Sequence, residues 1–135
     1  MIYEKDINNK IAQIKNFDNI YKQIREIDMI AADIISSVCT LDEYWNDECK
    51  NVLAYLIAVY ITESLESNIV FSIWILQMLN NKCSDKSQMK YNFKYGLKKN
   101  DYSVSNIFKD YIVEKYNSVC DYHNSIILLN AILNR

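Results

Sequence analysis

Residues 40–63 read Thr-Leu-Asp-Glu-Tyr-Trp-Asn-Asp-Glu-Cys-Lys-Asn-Val-Leu-Ala-Tyr-Leu-Ile-Ala-Val-Tyr-Ile-Thr-Glu, and their two halves carry different signals. The first half starts a helix. Thr40 and Glu43 have the spacing of a capping box, in which the Thr40 hydroxyl accepts the Glu43 N–H and the Glu43 carboxylate reaches back to the Thr40 N–H. Asp42 and Glu43 also set negative charge at the positive end of the helix dipole. The second half, Val52 to Ile61, is apolar at every position, as in a helix buried on most of its sides. The spacing predicts one helix from this cap to about Glu63.

A second apolar run, Ile69 to Leu79, follows a cap at Ser64 or Ser67 and ends near Asn80-Asn81. Each run is well short of the roughly 20 residues that span a bilayer, and Glu63 and Glu66 keep them apart. The two are therefore expected as a buried central pair of helices. The composition agrees: in 135 residues there is one glycine, Gly96, and no proline. Helix interiors suffer most from those residues, whereas sheet proteins rely on them at tight turns.

Outward from the centre, apolar residues at 7, 11, 14, 17, 20, 24, 27, 31, 34 and 38 step by three and four, the mark of one helical face. Asn16-Phe17-Asp18-Asn19 divides that face into a short helix and a longer one ending near Ser37. Gln88 to Tyr95 reads as a short helix stopped by Gly96. Ser103 is placed to cap a helix with Val104, Ile107, Phe108, Tyr111, Ile112 and Val119 inward. Asp121 opens a last one with Ile126, Leu129, Ile132 and Leu133 inward. The expectation is an all-α fold: a compact bundle of six to seven helices, with residues 1–135 as a single domain.

Half of the residues are hydrophobic and 24% charged, a globular balance. The weight of Ile, Asn, Lys and Tyr is that of a low-GC coding sequence. Cys39, Cys49, Cys83 and Cys120 lie far apart, and the N-terminus MIYEKDINNK has no apolar signal-peptide core. Free, partly buried thiols and a cytoplasmic location are expected.

Catalytic parts are scarce. Phosphate-cradling loops and nucleophile elbows need glycine. His123 is the single histidine, and Cys120 with His123 makes only half of a zinc-like spacing. Glu63 and Glu66 share a helical face, but the Glu-x-x-His partner of a di-metal bundle is missing. No enzyme activity, no cofactor and no metal are expected.

Charge is distributed in two blocks. From Thr40 to Glu66 six acids (Asp42, Glu43, Asp47, Glu48, Glu63, Glu66) face Lys50 alone, a balance of −5. From Lys82 to Asn100 six lysines face Asp85, a balance of +5. In the acidic block Asp42, Glu43, Asp47 and Glu48 surround Tyr44 and Trp45. Carboxylates steer encounter with a basic partner, and rings supply desolvated contact area. The plainer alternative is acids that cap the helix and rings that face the core. In the basic block Lys82, Lys86, Lys90, Lys94 and Lys98 recur every four residues with Tyr91, Phe93 and Tyr95 between them. Such a stripe can touch phosphates while rings stack on bases, or it is a solvated face.

These features point to a non-catalytic protein-binding inhibitor. The form expected first is an immunity protein that neutralises a basic, nuclease-like bacterial toxin: its acids mimic phosphates, and Tyr44 and Trp45 form the anchor. Two alternatives remain. One is a helical host-modulator of the viral Bcl-2-like kind that binds a partner helix. The other is a nucleic-acid-binding or phage regulator that uses Lys82 to Lys98.

Overall fold

The computed structural model describes residues 4–14, 16–38, 41–63, 69–81 and 106–134. They form α1 (Glu4–Ile14), α2 (Ile20–Val38), α3 (Glu43–Glu63), α4 (Phe71–Asn81), α5 (Asn106–Ser118) and α6 (Tyr122–Leu133), with no strand among the described residues. The expected helix at Gln88 to Tyr95, its stop at Gly96 and the caps at Ser64, Ser67 and Ser103 lie outside them.

The chain organises itself around α3, which packs against each of the other five described helices. Its composition dictates that position. From Val52 to Val59 no residue is more than 1% exposed, so this stretch has no polar face to turn to water. Each large side chain buried there contributes roughly 1.5–3 kcal/mol of transfer free energy. Ala54 and Ala58 interrupt the larger residues and let neighbouring helices approach. The surrounding helices bury one side each: Ile7, Ile11 and Ile14 of α1; Ile27, Ile30, Ala31, Ile34 and Ile35 of α2; Ile126, Leu129, Ile132 and Leu133 of α6. The spacing predicts the buried positions 7, 11, 14, 27, 31 and 34 and those of α6. Phe17, Ile20 and Ile24 on the same predicted face are only half-buried, while Ile30 and Ile35 beside it are buried.

Two elements depart from expectation. α4 buries Phe71, Trp74, Ile75, Met78 and Leu79, yet Ile73 stays 50% exposed and Ile69 and Val70 before it also face water. It is one-sided and does not share the enclosure of α3. On α5, Phe108, Tyr111 and Ile112 turn inward, whereas Ile107 is exposed. α4 packs on α1, α3 and α6, and α5 on α2 and α3, and the part of each apolar stripe outside those contacts stays in water.

Helix starts are satisfied in two ways. Asn19 Oδ1 accepts from the N–H groups of Tyr21 (2.9 Å) and Lys22 (3.2 Å), an ordinary local N-cap for α2. The side-chain amide of Gln23 then donates to the carbonyls of Ile14 and Phe17 at the end of α1. Asp42 caps α3, its Oδ1 accepting the Trp45 N–H at 3.0 Å. This corrects the expected Thr40–Glu43 box: the helix starts at Glu43, two residues later than a Thr40 cap requires, because the Asp42 carboxylate reaches the third helical N–H. Thr40 itself lies outside the described residues.

The starts of α4 and α6 are capped from a distance. Asn8 of α1 accepts the Ser72 N–H (3.0 Å) at the beginning of α4 and donates to the Ser72 hydroxyl (3.0 Å). Glu48 of α3 does the corresponding work for α6. Aromatic contacts reinforce these joints. The Tyr60 ring lies 5.4 Å from Phe71 and 5.2 Å from Trp74, and its hydroxyl donates to the Ile69 carbonyl at 2.7 Å.

Candidate protein-binding surface

The cap residue Asp42 and the first two turns of α3 hold all six residues that the sequence nominates for partner binding. They do not share one environment. Glu43, Tyr44 and Asp47 lie at steps of one, three and four, which keeps them on the outer side of the helix, and all three are exposed. Asp42, just before them, is exposed as well, though one of its oxygens serves the cap. Asp47 pairs with Lys50 at 3.6 Å in an open i,i+3 bridge. The Tyr44 ring stands 50% exposed and meets Trp45 edge-on at 5.0 Å between centroids. Trp45 is half-buried, so it supports Tyr44 from behind and gives only part of its surface to a partner. Desolvation, followed by the nearby carboxylates of Glu48 and Asp121, pushes the Tyr44 phenol up. It therefore remains a neutral hydroxyl donor.

Glu48 is different. It is only 6% exposed, and its carboxylate accepts the N–H of Cys120 (3.2 and 3.1 Å) and of Asp121 (2.8 Å). Asp121 is the N-cap of α6 and makes no capping bond with its own side chain. A glutamate from α3 thus supplies the acceptor and the negative charge that the start of α6 needs. This corrects the expectation for Glu48, whose oxygens are committed inside the molecule. Nothing local reveals the role, because the partner lies 72 and 73 residues along the chain.

Past Asp47 the outer edge of α3 continues through Lys50 and Asn51 into an open trough of about 480 Å³. One wall is the outer face of α2, with Tyr21, Ile24, Arg25, Met29 and Ala32; Lys115 of α5 stands opposite. Below it a polar network joins three helices. Lys115 pairs with Asp28 at 3.0 Å, Asp28 accepts the Tyr111 hydroxyl at 2.8 Å, and Lys115 reaches Asn51 at 3.4 Å. A smaller hollow of about 250 Å³ lies between α1 and α2, with Asp6, Lys10 and Asp33 on its rim over buried isoleucines.

Tyrosine, abundant in the sequence, serves mainly the interior. Tyr55, Tyr111, Tyr116 and Tyr122 are buried, while Tyr21 and Tyr44 alone among the described tyrosines are exposed. Cys49 is buried, whereas Cys120 is exposed, and Cys39 and Cys83 lie outside the described residues. His123 is exposed on the first turn of α6. No group of three or more His, Cys, Asp or Glu among the described residues is placed to hold a metal, and no described helix is long and apolar enough to cross a membrane. The lysines 82, 86, 90, 94 and 98, together with Glu66 and the side chain of Glu63, fall outside the described residues. In comparisons with known proteins, no family model, no curated protein and no solved structure matches this chain.

Proposed function

We propose that this protein acts without catalysis, by gripping a basic partner protein through the outer edge of α3. The carrying observation is Tyr44, a large ring left half in water and flanked by the exposed carboxylates of Glu43 and Asp47. A rigid aromatic beside acids gives desolvated contact area together with attraction for Lys or Arg. The biological form that fits is an immunity-type inhibitor in the cytoplasm, whose Asp42, Glu43 and Asp47 take the place of phosphates in the partner's basic site. Trp45 adds its outer edge, and Glu48 holds the platform in shape. The reading takes residues 1–135 as one domain of six to seven helices, with α3 and the buried side of α4 at its centre.

The test is charge reversal on the exposed acids alone. The pair Glu43→Lys and Asp47→Lys leaves the fold intact and weakens capture of the basic partner by at least about tenfold, the loss expected of a central charged contact. Undiminished capture by the folded variant overturns the reading.

A second reading has its own support. A central apolar helix surrounded on all sides by amphipathic ones, with a trough on the outside, is the layout of a module that binds a partner helix, as in the Bcl-2-like alternative. The contacts of α3 with all the other described helices favour it. Substitution at Arg25, in the trough, separates it from the acidic edge.

A further inference from the structure

The outer face of α2 is left uncovered by the described helices where it should be polar. Tyr21 is 69% exposed and Met29 is 52% exposed, with Ile24 partly buried between them and Ala32 one turn on. These residues repeat at three- to five-residue steps and form one stripe along the trough. From Tyr21 to Ala32 the stripe rises about 16 Å, roughly three turns of a helix laid alongside. The trough is open to solvent and about 480 Å³ in volume.

The charges along it are unequal. Asp28, its one acid, is already taken by Lys115 and Tyr111. Among the described residues Lys50 pairs with Asp47 alone, through an open 3.6 Å bridge. Arg25 is exposed and forms no ion pair with a described residue. What remains for an incoming group is therefore a cationic rim over an apolar stripe, and Arg25 offers the planar fork that binds a carboxylate through two parallel hydrogen bonds.

We propose that this trough is a docking site for an acidic amphipathic helix of a partner protein. Its apolar residues, at i, i+3 or i+4 and i+7, cover Tyr21, Ile24, Met29 and Ala32, and a carboxylate on the flank of that stripe binds Arg25. The inference rests on the helix-binding reading. It uses residues distinct from those of the acidic edge, so either can fail while the other stands.

The experiment is selection of a displayed library of helical peptides of about 16 residues against the full chain, followed by anisotropy titration of the enriched sequences. Enriched peptides share the apolar spacing and at least one acid beside it. They lose about tenfold or more in affinity with either Arg25→Glu or Met29→Glu. The same peptides with that acid changed to Arg regain affinity for the Arg25→Glu protein, while Glu43→Lys leaves binding within about twofold because it lies outside the trough. Four results overturn the proposal: no enrichment, enriched peptides without an acid, binding that survives both trough variants, or a dimer by sedimentation that Met29→Glu abolishes, which assigns the face to a second copy of this chain. Arg25 and Met29 are exposed, so neither variant threatens the fold, and circular dichroism checks that it persists.

Discussion

Glu48 accepts the backbone N–H of Asp121 at 2.8 Å, joining the second turn of α3 to the first residue before α6 across 73 positions of sequence. The bond is charge-assisted and is sheltered from water by the burial of Glu48. Its removal takes the carboxylate acceptor away from the N–H groups of both Cys120 and Asp121. Glu48→Ala is therefore expected to cost about 2–3 kcal/mol in urea unfolding, and Glu48→Gln, which keeps one acceptor oxygen, about 1 kcal/mol. Equal stability of Glu48→Ala and the wild type removes the cap from the account.

Asn8 provides the corresponding test at α4. Its side chain accepts from the Ser72 N–H and donates to the Ser72 hydroxyl. Asn8→Ala removes both contacts and is expected to cost about 1 kcal/mol, the usual value of a lost N-cap. Asn8→Asp keeps the acceptor and recovers most of it, as read from the same denaturation midpoint.

The centrality of α3 predicts an uneven response to truncation. Leu56 is fully buried, and Leu56→Ala is expected to cost about 2–5 kcal/mol, since the surrounding helices close only partly over the cavity. Ile73 on α4 is half exposed, and Ile73→Ala should change stability by no more than about 0.5 kcal/mol. Similar losses at the two positions contradict the packing described.

Tyr111 makes stability depend on pH at the alkaline end. Burial, then the charge of Asp28 and its hydrogen bond, push the phenol well above the ordinary value of 10.0. The folded chain thus keeps a proton that the unfolded chain releases. Stability from this group is intact below pH 10 and falls as the pH rises above it. Replacement by Phe costs about 1 kcal/mol at neutral pH through the lost hydrogen bond. Above pH 10 the same variant declines less steeply, by up to about 1.4 kcal/mol per pH unit. Urea midpoints measured from pH 8 to 11 show whether the two curves converge.

Much of this architecture is legible locally. Near absence of glycine and proline, the unbroken apolar run at 52–61 and the three-and-four steps at 7–34 place α1, α2 and α3, because helix formation and one-sided burial leave periodic marks. Asn19 falls within the break that the sequence marks at 16–19, whereas Asp42, read only as a charge for the helix dipole, takes the cap that the spacing assigns to Thr40. The tasks of Glu48 and Asn8 are not legible, since each caps a helix that reaches it only through tertiary packing. Nor does spacing show that Asp28, Lys115 and Tyr111 meet, or that Ile107 and Ile73 stay outside. In the acidic block the sequence marks charge and rings; which of them face water depends on where α6 begins, and that start is what draws Glu48 inward.

The exposed edge of α3 is, on the reading proposed, a contact surface for a basic protein. The most direct test of that reading is quantitative affinity capture from the cells in which the protein is made, comparing the wild type, the Glu43→Lys and Asp47→Lys pair, and Arg25→Glu. The account predicts a basic protein retained by the wild type and by Arg25→Glu, and reduced at least about tenfold with the acidic-edge pair. Equal retention by the folded acidic-edge variant and the wild type would contradict it.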